Sequence, residues 1–210
     1  MQNSICKILE FMKILDKFCL TERVTKLSDG TFETDSSHTF KLMFMVMMIY
    51  PYLQHKYDYT KLLEMALVHD IAEAETGDFP RAIQRMHPEI KKIKEEQEQA
   101  AMQKYKNILP EPVNQKIFAL WQEYESKETP EAILVAALDK IDANLQANQY
   151  NNGDVSYWLD LEDGEDYFRI NTEKKPLVAR LNEKIVSDLE EAVINLTKEN
   201  TLKCQINIKL

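Results

Sequence analysis

An all-α fold is predicted by three features of this 210-residue chain. Apolar residues recur at three- and four-residue spacings through most of its length. Alternating Val/Ile/Thr runs, the signature of strands, are nearly absent. The four glycines, Gly30, Gly77, Gly153 and Gly164, each stand beside Asp or Asn in turn-like settings (SDGT, TGDF, NNGD, EDGE), so they act as punctuation. Neither G-x-G-x-x-G nor G-x-x-x-x-G-K-[ST] occurs, and neither a Rossmann unit nor a P-loop is supported.

The first helix is expected to carry Ile5, Ile8, Leu9, Met12, Leu15 and Phe18 on one face. A second starts at the N-cap residues Asp35-Ser36-Ser37 and runs through Phe40, Met43, Phe44, Met47 and Met48 to about Tyr50, ending near Pro51. The cluster Met43-Met45-Met47-Met48, set among Leu42, Phe44 and Ile49, reads as adaptable core packing. A third helix covers about 60–76 and buries Leu62, Leu63, Met65 and Leu67, with Gly77 just past its end and Pro80 shortly after. Further helices are expected at about 88–107, 112–126, 130–150 and 176–200. The stretch 88–106, containing KKIKEEQEQ, mixes both signs at i,i+4 spacings and reads as a solvated helix face. Residues 151–175 are polar and loop-rich but contain Tyr157, Trp158, Leu159, Tyr167 and Phe168, which reads as a packed excursion. In the tail CQINIKL, Cys204, Ile206, Ile208 and Leu210 alternate as in a short strand or extended arm. No repeat or low-complexity linker divides the chain, so a single domain over residues 1–210 is expected.

Composition narrows the function. Thirty-five acidic residues against 26 basic ones give a net charge of −9, which opposes binding to a nucleic-acid polymer or an anionic membrane and leaves room for a small or metal-masked phosphate ligand. Cys6, Cys19 and Cys204 are odd in number and lack C-x-x-C spacing, which argues against a disulfide framework and fits a reducing cytoplasm. The N-terminal residues MQNSICKILEFMKILDKF spread their charges through the apolar positions, unlike a signal peptide. The most apolar run, 42–53, contains Pro51 and is well short of the roughly 20 residues needed to cross a bilayer.

The stretch LLEMALVHDIAEAETGDFPR sets His69, Asp70, Glu73, Glu75 and Asp78 into an otherwise apolar helical pattern. Neighbouring helical residues lie about 100° apart, so His69 and Asp70 can converge on one ion, with Glu73 one turn along on the same edge. Alone, a His-Asp pair is more often a satisfied buried histidine or a surface pair than part of a metal site. Two further positions shift that balance. His38 stands at the mouth of the apolar helix in TDSSHTFKLMFMVMM, and Asp139 follows five apolar residues in ILVAALDKIDANLQA. A buried unpaired Asp or His costs several kcal/mol, and a divalent cation serves all four together.

The runs EMALVHDIAEAETGD, LWQEYESKETPEA and LDKIDANLQA resemble the HD superfamily of metal-dependent phosphohydrolases, with signature H…HD…D on helices, and within it the branch containing the 5′-deoxynucleotidases. The resemblance covers about 14–150 and implies an HD-domain helical bundle. It implies that His38, His69, Asp70 and Asp139 are metal ligands, that Glu73 and Asp78 match the acids needed for turnover, and that Arg23 matches an arginine lining the nucleotide pocket. Two positions depart from the family pattern. Ser37 stands where an acidic residue usually precedes the first metal histidine, and Val24 stands where an aromatic residue usually follows the pocket arginine and faces the sugar.

Two imidazoles and two carboxylates suit one divalent ion, Mn²⁺, Co²⁺ or Fe²⁺ before Mg²⁺ or Zn²⁺, with positions left for water and a phosphate oxygen. Glu73 is then expected to orient or deprotonate the attacking water, and Asp78 to serve the leaving 5′-oxygen or shuttle protons. Arg23 offers phosphate a planar cationic fork. Lys140 either reaches a phosphate or is an exposed structural lysine; Arg81 and Arg85 either border the cleft or are solvated; His55 and His87 fall in loops. The expected activity is removal of a 5′-phosphate from (deoxy)nucleoside monophosphates by a homodimer. The alternatives are hydrolysis of a triphosphate or cyclic nucleotide at the same site, or a binding module without turnover.

Overall fold

The computed structural model describes residues 2–79, 87–150 and 177–208. Helix α1 (Gln2–Leu20) leads into a hairpin of β1 (Glu22–Lys26) and β2 (Phe32–Thr34), followed by α2 (Asp35–Ile49), a 3₁₀ turn (Tyr50–Tyr52), α3 (Tyr59–Val68) and the single turn α4 (Glu73–Thr76). Helices α5 (Pro88–Ile108), α6 (Val113–Ser126), α7 (Pro130–Tyr150), α8 (Leu177–Leu181) and α9 (Lys184–Ile208) complete the described fold. The all-helical expectation holds apart from the hairpin. The expected excursion at 151–175, Arg81, Arg85, Pro80 and Leu210 lie outside the described residues.

Helix α7 is the axis of the bundle. Residues 132–139 are buried without interruption, so this helix is apolar on every side over two turns and takes α2, α3, α6, α8 and α9 around it. Leu42, Leu62, Met65, Met102, Tyr105, Leu134 and Leu138 are fully buried in this core. No described helix is long and apolar enough to cross a membrane.

Several expectations need correction. On α1 the buried residues are Phe11, Ile14 and Phe18, whereas Ile5, Ile8, Leu9 and Met12 are exposed; the apolar residues wrap around this helix, and spacing alone did not select the packed side. On α2 the buried face is His38, Thr39, Leu42, Val46 and Ile49, and Phe40, Phe44, Met47 and Met48 are exposed. Met43 and Met45 pack against the core, so only half of the methionine cluster is core packing. Leu67 is likewise exposed. The α2 N-cap is Thr34, one residue before the expected run: its hydroxyl accepts from Ser37 N while the Ser37 hydroxyl accepts from Thr34 N, a reciprocal capping box. Ser37 thus serves the helix terminus. The tail is helical through Ile208, neither strand nor arm.

The predicted 60–76 helix is two pieces. It ends at Val68, and the backbone continues with i→i+3 hydrogen bonds, Ile71 N to Val68 O at 3.2 Å and Glu73 N to Asp70 O at 2.8 Å. This tighter winding brings residues three apart into line, so Asp70 and Glu73 share an edge. The 176–200 helix is also divided, at Asn182, which adopts a left-handed φ of 53°.

That second break seats Glu183, fully buried, whose carboxylate accepts from the backbone N–H groups of Gln54 and His55 at 2.8 Å each and faces His55 Nδ1 at 2.6 Å. Burial alone would push the Glu183 carboxyl up, but these hydrogen bonds hold it below its ordinary value. Its contribution to stability is therefore present above the unfolded carboxyl pKa and lost as pH falls through the lower folded value. Glu183→Ala leaves two backbone donors without their acceptor and is expected to cost about 2–4 kcal/mol, measured by denaturant unfolding at neutral pH. A change below about 0.5 kcal/mol, the surface-substitution range, would contradict this role.

Candidate metal centre

Two helices and the turn that ends α3 bring His38, His69, Asp70 and Asp139 together, with one donor atom from each lying within 4.8 Å of the others. His38 comes from the first turns of α2, Asp139 from α7, and His69 and Asp70 from the tight turn that ends α3. The imidazoles of His38 and His69 stand 5.5 Å apart, centroid to centroid. His38, His69 and Asp139 are buried and Asp70 is half-buried.

The hydrogen bonds define what this cluster lacks. His69 Nδ1 donates to the carbonyl of Ala66 at 2.8 Å, one of the carbonyls left open by the end of α3. The other ring nitrogen, Nε2, faces the cluster. It lies 2.9 Å from Asp70 Oδ2, yet makes no hydrogen bond and is buried. So close an approach to a carboxylate is favourable only when a proton or a metal cation lies between the two atoms. His38 poses the same problem: Nδ1 is 2.8 Å from Asp142 Oδ2 and Nε2 is 3.0 Å from Asp139 Oδ1, although a neutral imidazole has one N–H. Burial and the Arg23 charge push the His38 pKa down, but the bonds to Asp139 and Asp142 outweigh them and raise it to about 9, so without a metal it is a cation. A divalent ion in place of that proton lets Nδ1–H keep Asp142 while Nε2 and Asp139 become donors. The residues present thus fit a divalent metal.

The family model for the HD domain matches residues 15–182. The chain belongs to the HD-domain family. This HD domain is 36% identical over 156 residues to 5′-deoxynucleotidase HDDC2 of Dictyostelium discoideum, covering 68% of the chain and 76% of the relative. To human 5′-deoxynucleotidase HDDC2 it is 32% identical over 120 residues, 57% of the chain and only 55% of the relative's length. Its fold is similar to the crystal structure of a predicted metal-dependent phosphohydrolase from Magnetospirillum magnetotacticum MS-1, with a TM-score of 0.74 and 24% identity, over 95% of this chain and 97% of that one.

Around its four candidate ligands the HD domain carries further carboxylates and cations, of which sequence reasoning passed over Asp142, Glu33 and Lys41. Asp142, three residues beyond Asp139 on α7, orients His38; the i,i+3 spacing in LDKID was the available signal. The same helical geometry turns the half-buried Lys140 about 100° away from Asp139. Arg23 Nη1 donates to Asp35 Oδ1 at 3.3 Å and to Asp70 Oδ2 at 3.2 Å, and its Nε lies 3.7 Å from Glu33 Oε2. The hairpin makes this contact: Arg23 and Thr25 share a face of β1, and Thr25 also donates to Glu33 Oε2 at 2.6 Å. Val24, next to Arg23 in β1, is half-buried. Lys41 pairs with Glu33 and reaches Gln146, whose amide donates to the Lys26 carbonyl and fastens the hairpin to α7.

The acids of this layer differ in electrostatic setting. Burial would raise Asp70, but the neighbouring His69 and Arg23 hold it below its ordinary value. Asp35 is raised to about 7 by burial and the Asp70 charge, against the opposing effect of Arg23. Glu73 is raised well above the usual carboxylate range by burial and then by Asp70, with Lys94 opposing. One oxygen each of Asp35, Asp70 and Glu73 lies within 4.8 Å of the others. Asp78 follows Gly77, and its charge adds to the fields at Arg23, Asp35 and Glu73. His55 and His87 are engaged elsewhere, with Glu183 and Glu89.

Proposed function

We propose that this HD domain removes the 5′-phosphate from deoxynucleoside monophosphates, using one divalent first-row ion, Mn²⁺, Co²⁺ or Fe²⁺, held by His38, His69, Asp70 and Asp139. The observation that carries the reading is the cluster of four donors drawn together by α2, α7 and the turn after α3, with His69 Nε2 buried and 2.9 Å from Asp70 Oδ2. The names of the curated relatives support the substrate class. When bound, such an ion supplies positive charge for a phosphate oxygen and lowers the pKa of water.

The protein's own groups then divide the remaining work. Arg23, a planar donor fork on the rigid hairpin, takes a phosphate oxygen beside Asp70. Glu73 has one oxygen free of hydrogen bonds and accepts the proton of the attacking water there. Asp78 delivers a proton to the leaving 5′-oxygen. Val24 and Lys140 border the nucleotide; Val24 presents less surface to the sugar than the aromatic residue usual in the family.

The whole chain acts as one unit, in the cytoplasm, without a nucleic-acid polymer as partner. A homodimer is the assembly this reading carries, supported by Phe40, Phe44, Met47 and Met48, exposed on α2 at i, i+4, i+7 and i+8, and by Ile5, Ile8, Leu9 and Met12 exposed on α1. The test of function is phosphate release from 5′- and 3′-mononucleotides, triphosphates and cyclic nucleotides with Mn²⁺, Co²⁺ or Mg²⁺. Release from 5′-deoxymononucleotides and not from their 3′ isomers is expected. Turnover confined to triphosphates or cyclic nucleotides would overturn the substrate, and no turnover with any of them would leave a binding module.

A further inference from the structure

Three lysines on α5 stand four residues before a glutamate, and they do not behave alike. Lys91 and Lys92 are solvated and lie 3.8 Å from Glu95 and Glu96, the weak surface pairing expected of the whole stretch. Lys94 instead turns inward, its side chain only 15% exposed. Its ammonium donates to Glu73 Oε1 at 2.8 Å and lies 3.2 Å from Glu98 Oε1. The sequence reading of 88–106 as a solvated face is therefore wrong at this position.

Glu73 needs such a partner for geometric reasons. It is buried, it belongs to a single helical turn of four residues, and the charges of Asp35, Asp70 and Asp78 all repel its carboxylate. Lys94 Nζ fixes one oxygen and ties α4 to a helix of 21 residues, while Oε2 stays buried and without a hydrogen bond. We propose that Lys94 is a positioning residue for the phosphohydrolase reaction, clamping Glu73 by one oxygen so that the other faces proton transfer in a fixed orientation; this rests on the reading of Glu73 as the acid–base group. Glu98 completes the clamp by bracing Lys94 from one turn along α5.

The test compares Lys94→Ala, Lys94→Arg, Glu73→Gln and the Lys94→Ala/Glu73→Gln pair in the full chain loaded with Co²⁺, using 5′-dAMP as substrate. Lys94→Ala is expected to lower kcat on the order of 10- to 100-fold, the scale of losing a hydrogen bond to a charged group. KM should stay within about threefold and metal content near wild type, because the change affects the chemical step more than binding; the melting temperature should fall, since a buried carboxylate loses its ion pair. Lys94→Arg should retain more activity than Lys94→Ala, and added ethylammonium should restore part of the lost kcat, which a general loss of packing would not permit. The double variant should be no slower than Glu73→Gln. Full activity in Lys94→Ala beside an inactive Glu73→Gln overturns the role of Lys94 alone, as does a further loss in the double variant. A fully active Glu73→Gln overturns the reading of Glu73 and the clamp with it.

Discussion

Asp139→Ala is expected to release the metal and reduce phosphate release by about 10³-fold or more, because charge stabilisation by a bound divalent ion is worth several kcal/mol. Asp139 is buried on the central helix, with Oδ1 3.0 Å from His38 Nε2 and Oδ2 accepting from the Tyr124 hydroxyl at 3.3 Å. Removing it takes away one of two carboxylate donors and frees His38 from one of its two anchors. Elemental analysis after dialysis should find less than about a tenth of the wild-type metal. The fold should survive, since the substitution also removes a buried charge from a crowd of carboxylates. Wild-type metal content in this variant would exclude Asp139 from the site.

Glu73→Gln is expected to show the opposite pattern: metal retained, nucleotide affinity within a few-fold of wild type, and kcat lowered by about 10²-fold or more, the scale of a positioned acid–base group. The substitution preserves shape and removes the proton-accepting oxygen. Metal content, equilibrium binding of a 5′-mononucleotide and phosphate release measured on one preparation separate the alternatives. Loss of metal would make Glu73 a ligand, and near-normal kcat would remove it from the mechanism.

The four candidate ligands were legible because each interrupts an apolar pattern, and a polar group at a core position needs a partner. His38 at the mouth of α2 and Asp139 inside ILVAALD are the clearest cases. The hairpin was not legible: its strands have five and three residues, too short for alternation to stand out, and only the SDGT turn marked it. Arg23 could thus be named while its geometry could not, because Glu33 and Asp35 meet it through strand pairing and a helix start. Lys94 was invisible for a different reason. Its sequence neighbours Lys91 and Lys92 share its charge and its i,i+4 partner type, and only the packing of α5 against α4 distinguishes the lysine that points inward. The broken third helix shows the limit of periodicity as well, since an i→i+3 turn keeps the same residues near one edge while ending the α-helical ladder.

The central claim is that His38, His69, Asp70 and Asp139 hold a divalent ion. Anomalous diffraction at the cobalt edge, from crystals of the protein reconstituted with Co²⁺, tests it directly. The account predicts a peak among these four side chains, with His69 Nε2 as a ligand and His38 Nδ1 still bonded to Asp142. A cobalt peak only elsewhere, or none while His38 remains bonded to both Asp139 and Asp142, would contradict it.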